Sequence, residues 1–136
     1  MRDRASLMPT ILLLEEDDVT RPLLVNSLRD LGYRVLPAID EESAIEWILS
    51  NPNSKLNVIV INQVKISRQE CVETLDRIYR LTNLSRAIPS VIIAERYQAA
   101  LEGTEEKIDD NKYIIYLENA EQLFTLLDRL CVNDNN

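Results

Sequence analysis

Apolar residues in this chain come in short blocks separated by helically spaced stretches. Ile11-Leu12-Leu13-Leu14, Val58-Ile59-Val60-Ile61, Val91-Ile92-Ile93 and Tyr113-Ile114-Ile115-Tyr116 are continuous runs too short for a helix, and they read as buried parallel strands. Residues 33–38 supply a further strand. Between the first two strands, Leu24, Leu28 and Leu31 recur at i, i+4, i+7 with Val25 alongside; Pro22 stands in the first turn and Gly32 ends the pattern, which predicts an amphipathic helix. Asp40 then caps a helix carrying Ala44, Ile45, Ile48 and Leu49, broken by Asn51-Pro52-Asn53. Residues 68–81 place Val72, Leu75 and Ile78 on one face, and Leu123, Leu126, Leu127 and Leu130 mark the last helix. Residues 98–108 read as a weaker helix interrupted by Gly103. The β-branched run at 58–61 is expected at the centre of the sheet. Parallel strands need helical crossovers, so this order predicts an α/β fold: a doubly wound, five-stranded parallel sheet flanked by five helices, the fourth atypical. Residues 1–9 read as an N-terminal arm, 10–132 as the domain and 133–136 as a polar tail.

Charge and composition narrow the chemistry. Fifteen Lys and Arg against twenty-three Asp and Glu give a formal charge of −8 across 136 residues, which argues against nucleic acid or an anionic membrane surface as a partner. The absence of histidine removes the usual imidazole base, the Ser-His and Cys-His nucleophile pairs and most zinc sites. With two glycines, Gly32 and Gly103, the chain holds no glycine-rich phosphate loop. Cys71 and Cys131 form no C-x-x-C pair, residues 1–9 hold no apolar run of leader length, and no stretch has membrane-spanning length, so a reduced, cytoplasmic setting is expected.

In open parallel sheets, ligands sit outside the carboxyl ends of the strands where the strand order reverses. The residues there are Glu15 and Glu16, Asn62, Ala94 and Tyr116. The run Ile11-Leu-Leu-Leu-Glu15-Glu16-Asp17-Asp18-Val-Thr-Arg21 resembles the first strand, acidic pair and helix start of the receiver domains of two-component response regulators. Gly32-Tyr-Arg-Val-Leu-Pro-Ala38, Asp40-Glu-Glu-Ser-Ala44, residues 56–61 and Glu121-Gln122-Leu123 are similar to later segments of the same family in order and spacing. The resemblance spans residues 10–131 and implies a flavodoxin- and CheY-like topology.

What the resemblance implies for the site is a receiver stripped of its working groups. Family members phosphorylate an aspartate ending the third strand, hold Mg²⁺ with an acidic pair, and read the phosphoryl group with a Ser/Thr after the fourth strand and a Lys after the fifth. Asn62 stands at the phosphoacceptor position, Ala94 at the Ser/Thr position and Tyr116 at the lysine position. An amide cannot form an acyl phosphate. One carboxylate fewer leaves Glu15 and Glu16 as a vestigial, weak Mg²⁺ site, and no cofactor is otherwise expected. Tyr113 matches an aromatic switch of the family, and Tyr97, Tyr113 and Tyr116 mark an interaction face of helix four, strand five and helix five. The loop at 63–67 lacks the family's Met-Pro-Gly signature, and Lys65 is a candidate to offset the acids.

The expectation is a non-enzymatic, stand-alone pseudo-receiver acting by protein–protein contact in a phosphorelay-type system. Its partners would be a sensor kinase, another regulator or a downstream effector, with a homodimer through the helix-four face as a further option. A small-molecule sensor using the emptied pocket is the alternative. An unorthodox phosphoacceptor at Ser67 or Asp17 is a third. Plainer readings stand beside these: helix-start charge for residues 15–18, a strand-end amide for Asn62, packing for Trp47, and small core or surface roles for the cysteines.

Overall fold

The computed structural model describes residues 8–53, 55–63, 67–94 and 97–134. Strand β1 (Thr10–Leu14) leads into helix α1 (Thr20–Asp30), β2 (Arg34–Ala38), α2 (Glu41–Ser50), β3 (Val58–Gln63), α3 (Arg68–Thr82) and β4 (Ser90–Ala94). A short 3-10 turn (Ala99–Leu101), strand β5 (Glu105–Lys107), strand β6 (Lys112–Tyr116) and helix α4 (Ala120–Asp134) complete the order. The sheet runs β2-β1-β3-β4-β6-β5, and every pairing is parallel except β5 with β6. The strand order reverses between β1 and β3, so the crevice of a doubly wound sheet opens at their carboxyl ends.

Both faces of the sheet are covered, which is why its strands read as unbroken apolar runs and not as alternations. Ile11, Leu13, Val58, Val60, Val91, Ile93 and Ile115 pack on one face against Val25 and Leu28 of α1 and the leucines of α4. Leu12, Leu14, Ile59, Ile61, Ile92 and Ile114 pack on the other against Ala44 and Ile48 of α2 and Cys71, Leu75, Ile78 and Tyr79 of α3. Local chemistry fixes the helix ends. The Asp40 carboxylate accepts from Ser43 N at 2.8 Å, and Ser67 with Glu70 closes a second capping box at the start of α3. Gly32, at φ +101°, makes the left-handed turn out of α1 that a side chain would strain.

The fold class expected from the apolar pattern is the one observed, with β3 at the centre. One element departs from it. Residues 98–108 form no α-helix: after the 3-10 turn the chain bends at Gly103 (φ +82°) and runs back along β6 as β5. The described sheet therefore has six strands, one antiparallel, with four α-helices. The physical reason is in the sequence, because Thr104-Glu105-Glu106-Lys107 is a wholly polar run with no face to bury and Asp109-Asp110-Asn111 supplies turn chemistry. The Asp109 carboxylate accepts from the backbone N–H groups of Asn111 and Lys112 at 3.0 Å each, which closes the hairpin. Two smaller departures concern helix faces. Leu31 and Leu49, expected on apolar faces, are more than half exposed. Trp47 packs half-buried against the α2–α3 core, and Cys71 and Cys131 are both buried and form no disulfide among the described residues.

Candidate functional site

The carboxyl ends of β1 and β3 lie side by side, and this places Glu15 and Asn62 in one buried pair. Asn62 Nδ2 donates to Glu15 Oε1 at 2.5 Å, and Asp17 N donates to Glu15 Oε2 at 3.1 Å. Glu15 is fully buried. A charge withdrawn from water must find donors inside the fold, and here each carboxylate oxygen has one. Arg21, on the first turn of α1, donates from Nη1 to the Glu15 carbonyl at 2.9 Å and pairs through Nη2 with Asp18 at 2.6 Å. Asp17 receives the Thr20 N–H at 2.6 Å, so the acidic run also caps the helix start.

Glu16 points away from this pair, because successive residues leaving a strand face opposite sides of the sheet. It lines a groove of about 360 Å³ between α2 and α3 with Leu14, Ile61, Glu41, Glu70, Glu73 and Arg77 among its walls. Within that groove Arg77 grips Glu41 through two hydrogen bonds of 2.7 Å, which hold the Glu41 carboxyl below its ordinary range. Glu15 and Glu16 therefore do not fit one shared Mg²⁺. One has both oxygens engaged inside the fold, and the other belongs to a groove on the opposite face. Among the described residues, no group of three or more acidic or cysteine side chains is placed to hold a metal ion.

Ala94 and Tyr116 are register partners across β4 and β6, one strand beyond Gln63. Ala94 brings a methyl group where a hydrogen-bond donor was expected from the family. Tyr116 is buried, stacks edge-on to Tyr97 at 5.4 Å between ring centroids, and donates its hydroxyl to Glu106 of β5 at 3.4 Å. Burial is the first cause that raises the Tyr116 phenol above its usual range, and the Glu106 charge adds to it. Glu106 in turn pairs with Arg68 Nη2 at 2.7 Å, which keeps its carboxyl below the ordinary value. The Tyr97 hydroxyl bonds the Leu117 carbonyl. At the lysine position, then, the chain has a phenol tied to a carboxylate, with the neighbouring cation contributed by α3.

Tyr113 lies on the other face, half-buried, with Lys107 Nζ 5.8 Å from its ring centroid. The three tyrosines expected on one interaction face are thus divided, with Tyr97 and Tyr116 on the α3 side and Tyr113 on the α4 side. Where that face was expected to carry helix four, it carries β5. Ser67 caps α3, its hydroxyl engaged by Glu70 N at 3.1 Å. Lys65 and the loop around it lie outside the described residues. Reading the sequence missed the Arg68–Glu106–Tyr116 group entirely. The turn signal at 109–111 would have placed Glu106 opposite the last strand and so beside Tyr116.

No family model matches the chain, and no curated protein matches it. Solved structures do. A response regulator receiver domain protein from Clostridium thermocellum superposes with a TM-score of 0.70 at 16% identity, covering 94% of this chain and 98% of that one. A Vibrio cholerae chemotaxis protein crystallized at low pH gives 0.65 at 17% identity, over 90% of this chain and 98% of that one. The Thermotoga maritima response regulator protein TrrA, in complex with Mg(2+)-BeF, gives 0.63 at 17% identity, over 90% and 99%. Likeness at these identities establishes the fold, and the chain has the α/β fold of response regulator receiver domains. Among the described residues no helix is long and apolar enough to cross a membrane.

Proposed function

We propose that this chain is a pseudo-receiver: a signalling module of receiver fold that acts by docking to proteins and takes no phosphoryl group on aspartate. The observation that carries the reading is the Asn62–Glu15 bond. An amide offers no carboxylate oxygen to form an acyl phosphate, and here its nitrogen holds the buried acid. Around it, Ala94 offers no donor to a phosphoryl oxygen, and Tyr116 replaces a fixed cation with a neutral phenol already bound to Glu106. The chain needs no cofactor and catalyses no reaction of its own in this reading. Its partners belong to two-component or phosphorelay-type signalling: a sensor kinase, another regulator or a downstream effector.

The test is a titration of the labelled protein with Mg²⁺ and then beryllofluoride, followed by amide NMR. The expected result is no saturable shift at Glu15, Glu16, Asn62 or Tyr113. Saturable shifts spreading from the strand ends to Tyr113 would overturn the proposal. The groove between α2 and α3 favours a second reading, a sensor of small molecules. At about 360 Å³ it reaches the lower range of ligand pockets. Thermal stabilisation by a member of a metabolite panel, abolished by Glu73→Gln, would support that reading. Stabilisation by none would dismiss it.

A further inference from the structure

Strand β5 closes the sheet at one edge, and its three residues, Glu105, Glu106 and Lys107, are all exposed. Among the described residues no strand pairs with its outer edge. Backbone groups along an antiparallel pair alternate between facing the partner strand and facing away. Ile108 N donates to Lys112 O at 2.8 Å and Tyr116 N to Thr104 O at 2.9 Å, so the even positions 104, 106 and 108 face β6. The N–H and C=O groups of Glu105 and Lys107 therefore face outward and are free to join a ladder.

Edge strands that carry charges usually repel further pairing. Here the charges are arranged so that one partner fits. The strand reads Glu-Glu-Lys, and a second copy laid antiparallel and centred on Glu106 sets Glu105 opposite the partner's Lys107, and Lys107 opposite the partner's Glu105. Those are also the two positions whose backbone groups face outward, so the register that pairs opposite charges is the one that makes hydrogen bonds. Centring on Glu105 or Lys107 instead forms no Glu–Lys pair and sets like charges opposite each other at the hydrogen-bonded position. Residues directly opposite share a face, so both Glu–Lys pairs fall on the α4 side, where Glu105 is already held by Arg129 at 2.6 Å. The central Glu106 residues meet on the α3 side, each neutralised by its own Arg68. Per copy the patch holds Arg68, Lys107 and Arg129 against Glu105 and Glu106, three cations to two carboxylates, within a chain of net charge −8.

We infer that β5 is a self-recognition edge, through which two copies join their sheets across a two-fold axis centred on Glu106. The contact is isologous, so it closes at two copies and builds no filament. A ladder this short makes a reversible, concentration-dependent dimer and not an obligate one. It goes beyond the docking function proposed above, and either can fail without the other.

The experiment is sedimentation equilibrium of the full chain up to about 1 mM. Glu105→Lys and Lys107→Glu each turn both cross-strand pairs repulsive and are expected to weaken self-association by at least about tenfold. Mixed in equal amounts, the two variants are complementary and are expected to form a heterodimer of parental strength. The double variant E105K/K107E restores complementarity within one chain and is expected to self-associate again. In the parent, exchange of the outward Glu105 and Lys107 amides is expected to slow with concentration, while that of Glu106 stays constant. A chain that stays monomeric at about 1 mM, single variants that associate like the parent, or a mixture that does not recover would overturn the inference.

Discussion

Replacing Asn62 by Asp changes one atom of the buried pair and sets two carboxyl groups where an amide and a carboxylate now meet at 2.5 Å. With both ionised at that separation, Coulomb repulsion at an effective dielectric near 20 is about 7 kcal/mol. Proton uptake caps the cost. Raising a carboxyl from its unfolded value near 4 to above 8 costs about 5 kcal/mol at pH 8, at about 1.4 kcal/mol per unit. The protonated carboxyl then donates to its neighbour and rebuilds the lost hydrogen bond. The sign follows from linkage: a carboxyl whose folded pKa is raised costs nothing relative to the parent below the unfolded value, and the cost grows as pH rises until it passes the folded value. Asn62→Asp is therefore expected to lose roughly 3–5 kcal/mol at pH 8, a fall of roughly 10–15 °C in melting temperature, and about 1 kcal/mol near pH 5. Asn62→Ala leaves Glu15 short of a donor without adding charge, so its loss of about 1.5–3 kcal/mol should be similar at both values. Thermal melts of the three proteins by circular dichroism at pH 5 and pH 8 decide the matter. An Asp variant as stable as the parent at pH 8, or one equally weakened at both values, would refute this account of the pair.

Three further outcomes are expected. Cys71 is fully buried and its thiol is pushed up to about 12 by burial, so alkylation monitored by mass spectrometry should leave it unmodified in the native protein and complete under denaturant. Arg77→Gln removes the grip on Glu41; a lowered folded pKa adds stability above the unfolded value that is lost as pH falls through the folded one. The variant should thus be less stable than the parent in urea melts at pH 7, with the difference shrinking as pH falls through the folded Glu41 value. Burial raises the phenols of Tyr33, which is also bonded to Asp128, and of Tyr79, the latter to about 12. Ultraviolet titration at pH 11 should leave both un-ionised until the fold opens, and early ionisation of either would contradict their placement.

How far the fold was legible depended on whether burial or local chemistry decided each element. β1, β3, β4 and β6 lie between two helix layers, so their sequences had to be continuously apolar and could be read as strands directly. β5 is an exposed edge with no buried residue, so no apolar period could announce it; only the turn at 109–111 and the positive φ at Gly103 mark its ends. The candidate site divided in the same way. Strand-end positions follow from strand limits, which put Glu15, Asn62, Ala94 and Tyr116 where they are found. The partners of those residues lie far along the chain, as Glu106 does from Arg68, and spacing alone does not show such pairings.

Strand β5 gives the residues at the neighbouring strand ends a common physical sense. A lysine at position 116 would place a second cation beside Arg68, where Glu106 supplies a single carboxylate. Tyrosine instead fills the space with a ring that packs on Tyr97 and contributes one neutral donor to Glu106. Ala94 matches that apolar surround, since an unsatisfied hydroxyl there would carry a desolvation cost. Glu106 reaches Arg68 only because β5 runs along β6 on the side that faces α3. Taken together, Tyr116, Ala94 and the β5–β6 hairpin form one packing unit, and changing a single member leaves the others mismatched. Asn62→Asp alone would therefore introduce a carboxylate without the charge and donors that a phosphoryl group needs.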